Sequence, residues 1–293
     1  MSFKVENLFS VKDKVVVITG GGSGLGKAIA EGFAANGARI YIVGRRENLL
    51  ERAAQEVGGD IRTIPGDVST KEGCVKIAEA VKAQETHVDT LVNCAGISKF
   101  WRTYAKDPND ADQVENMLIH GVEEEDFVNT NKINVNGIYF MTTNFIPLLR
   151  KAQDPNVCVI SSVSSLAHQR TMSPLTYAIS KAAINHLAKL LAGRLHPMKI
   201  RVNTVCPGIF PSEMTGAATG KHQYAVGLPA EKAAMRTTAG RPGRPEEIAG
   251  PVISLSSPAG AYINNAFLTV DGGRVMSMSI NDDIRMPEKT FTF

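Results

Sequence analysis

Tyr177 and Lys181 stand four residues apart in TYAISK, a spacing that puts a phenol and an ammonium on one face of a helix. A free phenol titrates near ~10 and is a poor acid or base at neutral pH. A neighbouring ammonium favours the phenolate, so Lys181 is expected to draw that pKa down towards the range useful for proton transfer. Just before this helix an apolar run, VCVIS, leads into Ser161, Ser162, Ser164 and Ser165. A serine hydroxyl there would hydrogen-bond a substrate oxygen beside the phenol and stabilise charge as it develops.

A second group of residues, near the N-terminus, suits phosphate rather than protons. Thr19-Gly20-Gly21-Gly22-Ser23-Gly24-Leu25-Gly26 follows an apolar run and leads into a helical pattern. The literal G-x-G-x-x-G spacing fails in every register, and what stands is T-G-x-x-x-G-x-G. The physics is shared: glycines let the backbone approach a pyrophosphate, and a helix N-terminus offers unpaired N–H groups and a positive dipole end. Gly20, Ser23, Gly24, Leu25 and Gly26 are therefore candidate cofactor contacts. The next apolar run ends in Val43-Gly44-Arg45-Arg46, where an NAD site usually carries a carboxylate for the ribose hydroxyls. Glycine leaves room for a phosphate, and Arg45 and Arg46 supply charge-assisted donors, which favours NADP(H) over NAD(H). Ser23 argues the other way, because it leaves the glycine loop without a basic residue. Asp67, followed by Val68, would accept a hydrogen bond from an adenine amino group; a loop aspartate also serves turns and caps.

These residues need a scaffold, and the sequence supplies strand and helix patterns in alternation. Strands are expected at Lys14–Thr19, Arg39–Val43, Ile61–Ile64, Val88–Asn93, Val157–Ser161, Ile200–Cys206 and Phe267–Val270. Helices are expected at Gly24–Asn36, Asn48–Glu56, Lys71–Gln84, Glu124–Leu149, Leu175–Leu195 and Pro245–Ser257. Runs such as VVVIT lack polar alternation, as befits a parallel sheet covered on both faces. The expectation is α/β: one domain over residues 1–293, a doubly wound parallel sheet of seven strands with helices on both faces. Two stretches break the alternation, residues 98–121 and 211–241. Both follow strands, so both are candidate substrate covers.

Composition narrows the function. Of 293 residues, 43% are hydrophobic and 21% charged, and the formal net charge is only +3, which gives no reason to expect a nucleic-acid or anionic-membrane partner. No apolar run reaches a membrane span, and the charged N-terminus is unlike a secretory signal. Cys74, Cys94, Cys158 and Cys206 lack metal or disulfide spacing, so a reduced, cytoplasmic setting is expected. The histidines are scattered without a carboxylate cluster, so no metal site is expected.

Taken together and in order, several motifs carry a resemblance. TGGGSGLG, Asp67-Val68, Asn93-Cys94-Ala95-Gly96, Asn134 in INVNG, the serines of VISSVSS, Tyr177-x-x-x-Lys181, Pro207-Gly208 and Asp271-Gly272-Gly273 resemble the short-chain dehydrogenase/reductase family across about residues 12–274. The resemblance implies a Rossmann-type fold and a Ser–Tyr–Lys–Asn tetrad. Tyr177 would give a proton to a carbonyl, or take one in the oxidising direction. Lys181 would lower the Tyr177 pKa and hold the nicotinamide ribose, and Asn134 would position a water linking Lys181 to solvent. Asn93, Ala95 and Gly96 would line the adenosine and ribose side. Pro207, Gly208, Phe210 and Ser212 would face the nicotinamide carboxamide, Ser212 standing where the family often has threonine.

The serine stays open between two positions. Counting 13 back from Tyr177, a common family interval, gives Ser164. Aligning the strand end gives Ser162, which is preferred because sheet register shifts less readily than loop length. Other departures are Cys94 in place of a second asparagine, a long stretch before Asn134 that holds Phe100, Trp101 and Tyr104, and a tail over residues 274–293. PGIFPSEMT and GRPGRPEE are similar to 3-oxoacyl reductases. The expectation is thus an NADP(H)-dependent reductase of a small β-keto acyl or polyketide-like carbonyl, working as a homo-oligomer, a dimer or tetramer. An NAD-dependent alcohol dehydrogenase and a cofactor-binding scaffold without chemistry are the rivals.

Overall fold

Seven parallel strands form one sheet in the order β3-β2-β1-β4-β5-β6-β7 in the computed structural model, which describes residues 3–167, 174–216 and 227–278. The strands are β1 (Val15–Thr19), β2 (Arg39–Gly44), β3 (Asp60–Pro65), β4 (Thr90–Asn93), β5 (Asn156–Ile160), β6 (Arg201–Pro207) and β7 (Phe267–Val270). The helices are α1 (Val5–Leu8), α2 (Gly24–Ala35), α3 (Glu47–Val57), α4 (Lys71–Lys82), α5 (Ala111–His120), α6 (Glu124–Asn131), α7 (Gly137–Leu149), α8 (Leu175–Arg194), α9 (Leu228–Met235), α10 (Pro245–Ser256) and α11 (Arg274–Met278). All seven expected strands form, each within two residues of its expected ends at either terminus.

The central strands β1, β4, β5 and β6 are buried at every position, which is why their sequences run apolar without alternation. One face packs under α4, α7 and α8, through residues such as Ile77, Phe145 and Ile184. The other packs under α2, α3 and α10, through Phe33, Leu50 and Val252. This is the Rossmann-type arrangement. The strand order reverses between β1 and β4, and their register pairs Thr19 with Asn93, so the two strands end level and their loops part. A crevice outside the carboxyl ends is the geometric result.

The expected helix Glu124–Leu149 is not uniform. A π-helical turn, Lys132–Asn136, separates α6 from α7 and carries Asn134. Residues 98–121, expected as an irregular cover, contain α5 and close on themselves. Trp101, Ala105 and Met117 make a small core of their own, with Val114 and Val122 against it. Arg102 fastens this unit through its guanidinium to Asp126, at 3.1 and 3.2 Å. Residues 217–226 of the expected substrate loop, and the tail beyond Met278, lie outside the described residues.

Candidate active site

A cleft of about 510 Å³ opens at the carboxyl ends of β1, β2 and β4, floored by the glycine turn. The turn needs its glycines. Gly24 has φ +52°, and a Cβ there would sit 3.2 Å from the Ser212 Cβ across the cleft. A Cβ on Gly26 would stand 2.2 Å from the Gly20 carbonyl oxygen, so α2 could not begin so close to β1. Helices α4 and α5 are capped by Thr70 and Asp110, but Ser23 makes no side-chain cap on α2, and no acidic residue stands in the α2 first turn. The first N–H groups of α2 and its positive dipole end are thus left for an anion. The Thr19 hydroxyl accepts from the Cys94 and Ala95 N–H groups at 3.0 and 3.1 Å, tying the end of β4 to the glycine turn.

Arg45 and Arg46 line one end of this cleft, beyond Gly44, with Asp67 and Val68 beside them. Asp67 accepts the Ser69 N–H through Oδ1 at 2.9 Å, a turn role that leaves its second oxygen for another donor. Arg46 is already paired: its guanidinium meets the Glu213 carboxylate at 3.0 Å.

At the other end, Tyr177 and Lys181 both reach the cleft from the first turns of α8. The Lys181 ammonium lies 5.6 Å from the centre of the phenol ring and donates to the Ile160 carbonyl at 2.8 Å. Of the two candidate serines, Ser162 hydrogen-bonds the Tyr177 phenol. Ser164 sits in the following turn, and its N–H donates to Ser162 Oγ at 3.1 Å. Asn134 is fully buried in its π turn, where such bulges often serve functional sites. Its amide donates to Ile97 O and Ser180 Oγ, and its Oδ1 accepts the Ile97 N–H, each at 2.9 Å. The residue that precedes Lys181 is therefore locked to the loop after β4.

The expected lowering of the phenol pKa is not what the structure gives. Burial pushes Tyr177 up to about 12, and the Ser162 hydrogen bond only partly offsets it. The Lys181 ammonium stands 5.6 Å from the ring centre, and burial pulls its own pKa down to about 8. Desolvation outweighs the charge–charge attraction that the spacing suggests. Cys94 also lines the cleft, and burial raises its thiol to about 11, so it is no ready nucleophile.

Four expected cofactor residues are absent from the wall of this cleft. Asn93 turns its amide inward to Thr142, at 3.1 Å, because it is the last buried position of β4. Phe210 joins the core under α10. Pro207 closes β6, and Gly208 packs against Asp271, where a Cβ would meet its Cα at 2.7 Å. Gly20, Ser23, Gly24, Leu25, Gly26, Ala95, Gly96 and Ser212 do line the cleft. Two residues escaped the sequence reading. Asn185 accepts from Ser161 Oγ at 2.5 Å and donates to Ser165 Oγ at 2.7 Å, and Ser165 in turn donates to the Ser162 carbonyl. Its place one helical turn beyond Lys181 was the available signal. Glu213 had none, since its partner is 167 residues away.

Residues 14–223 match the family described as short chain dehydrogenase. The chain belongs to that family. This short-chain dehydrogenase is 33% identical over 270 residues to the rhamnolipids biosynthesis 3-oxoacyl-(acyl-carrier-protein) reductase of Pseudomonas aeruginosa, covering 90% of its own length and 97% of that protein's. It is 31% identical over 278 residues to the short-chain dehydrogenase/reductase PhomF of Diaporthe leptostromiformis, covering 92% and 94%. The structure of an RhlG/NADP active-site complex from Pseudomonas aeruginosa superposes with a TM-score of 0.78 at 30% identity, covering 92% of the dehydrogenase and 98% of that chain. Oxidoreductase chemistry on small molecules follows from the family. Among the described residues, no group of three potential metal ligands comes together, and no helix is long and apolar enough to cross a membrane.

Proposed function

We propose that the chain is an NADP(H)-dependent reductase that turns a ketone, of β-keto acyl or related type, into a secondary alcohol. The observation that carries this reading is Tyr177 and Lys181 at one end of a cleft whose other end holds Arg45 and Arg46, with Ser162 behind them on the Tyr177 phenol. The donors fit a dinucleotide phosphate: an uncapped helix N-terminus for the pyrophosphate and two guanidinium groups where an adenosine phosphate would lie. The relative described as a 3-oxoacyl reductase and the neighbour solved with NADP support the same choice.

When bound, the nicotinamide would supply the hydride. The chain's task is then to hold the carbonyl and deliver the proton. Tyr177, held up to about 12, carries its proton at neutral pH and so stands as the acid for the nascent alkoxide. The Ser162 hydroxyl, already on the phenol, would share the substrate oxygen and steady its charge. Lys181 would hold the ribose and, with a pKa near 8, replace the proton that Tyr177 gives up. Asn134 would keep the helix that bears Lys181 against the loop at Ile97 and pass protons outward through a water. A cytoplasmic homo-oligomer built of one such unit per chain goes with this reading.

The test is direct. Purified protein is expected to bind NADPH more tightly than NADH and to consume NADPH with β-keto thioesters among a panel of ketones. Tighter NADH binding would hand the site to the NAD-dependent alcohol dehydrogenase reading, which the commitment of Arg46 to Glu213 favours. NADPH binding without turnover on any ketone would leave a cofactor-binding scaffold.

A further inference from the structure

The segment after β6 crosses the cleft and brings an acidic residue to its phosphate end. Glu213 takes both arms of Arg46, with Nη2–Oε2 at 3.0 Å and Nη1–Oε1 at 3.4 Å. Both residues line the cleft, and the pair links the end of β2 to the turn beyond β6 across it. The turn that presents Glu213 is not free to swing. Ser212 Oγ accepts the Thr215 N–H at 3.2 Å, Thr215 Oγ1 accepts the Ser212 N–H at 2.9 Å, and Thr215 Oγ1 donates to the Phe210 carbonyl at 2.8 Å. Phe210 itself is buried in the core. A carboxylate is thus held where an arginine beside a nucleotide cleft would otherwise await a ligand.

We infer that Glu213 is an internal competitor for the phosphate of the cofactor's adenosine half, and so sets how strongly the chain discriminates NADP(H) from NAD(H). The inference rests on the NADP(H) reading above. Carboxylate and phosphate oxygens suit the same guanidinium fork, so one must leave for the other to enter. A cofactor with the extra phosphate displaces Glu213 from Arg46, whereas NADH leaves the pair closed. Arg45 lies outside the pair and keeps a positive charge at the mouth in both states. The side chains are 59% and 58% exposed, so the exchange is easy and its effect modest.

Dissociation constants for NADPH, NADH and adenosine 2′,5′-bisphosphate test it, measured by calorimetry on the full chain. Glu213→Gln is expected to tighten NADPH and the bisphosphate about two- to five-fold, the scale of an exposed ion pair, and to leave NADH unchanged. In an Arg46→Ala background the same substitution is expected to do nothing. Unchanged NADPH binding in Glu213→Gln, in a protein that still prefers NADPH, would overturn the inference alone. A gain that persists without Arg46 would also overturn it, since it would report a through-space charge effect. A wild-type protein that prefers NADH would instead overturn the reading on which the inference stands.

Discussion

Among the described residues two phenols are pushed to about 12 by burial, one on β2 and one on α8, with opposite consequences. Tyr41 lies on β2 with no exposed surface; its hydroxyl donates to Glu85 Oε1 at 2.7 Å and accepts from Arg62 at 2.6 Å. Arg39 completes the cluster, reaching Asp60 and Glu85. Both the proton and a lone pair of Tyr41 are committed, and its side chain is no part of the cleft wall. Tyr177 has one serine on its oxygen, an ammonium over its ring, and an open cleft beside it. A shifted pKa therefore does not mark a site here; access to a substrate and an unspent hydrogen-bonding valence do.

The largest effect should come from removing the accessible hydroxyl. Tyr177→Phe is expected to cut NADPH-linked ketone reduction by about 10³-fold, within the span of lost general acid catalysis, while NADPH binding stays within about two-fold. Tyr41→Phe in the same assay is expected to keep near wild-type turnover. Equal losses in both variants would erase the distinction between the two phenols.

The pH dependence of reduction sharpens it further. Lys181 loses its charge as pH rises through about 8, whereas Tyr177 keeps its proton until about 12. Turnover is expected to be level below neutrality and to decline above about pH 8, because the group that restores the phenol proton is then empty. A profile that stays level to about pH 10 would remove Lys181 from the proton path.

A smaller effect is expected at Asn185, which reaches Ser162 only through Ser161 and Ser165. Asn185→Leu should lower kcat about ten-fold with little change in NADPH affinity, and Asn185→Asp should recover part of it. A loss confined to NADPH affinity would mean that Asn185 does not position the Ser162 loop.

Much of this site was legible before the fold. The glycine turn, Arg45 and Arg46, and the Tyr177–Lys181 pair are local patterns, each set within one strand–helix unit, so spacing alone places them. The strands were legible because a parallel sheet buried on both faces writes itself as unbroken apolar runs. What spacing could not show was competition. The direction of the Tyr177 shift depends on how much protein surrounds the ring, which is a tertiary quantity. Asn93 and Phe210 occupy motif positions whose side chains went to Thr142 and the core, because burial claimed them first. Trp101 lies in a stretch whose break in the alternation marked it as a candidate substrate cover, and only the fold of α5 shows that its ring is buried in a small core.

The smallest effect expected is on stability, and it returns to the two phenols. Tyr41→Phe removes hydrogen bonds to charged partners inside the β2–β3 edge, which should cost about 2 kcal/mol in denaturant unfolding. Its pH dependence has a fixed sign. A phenol raised from 10.0 to about 12 holds its proton longer in the folded chain than in the unfolded one, so stability falls as pH climbs across that window. Tyr177 carries the same raised value and should contribute a limb of the same sign. Either Tyr→Phe variant is therefore expected to flatten the alkaline loss of stability, although only one of them abolishes reduction. An alkaline limb unchanged by Tyr41→Phe would mean that water reaches its hydroxyl, and the contrast between a sealed phenol and an accessible one would fail at the sealed end.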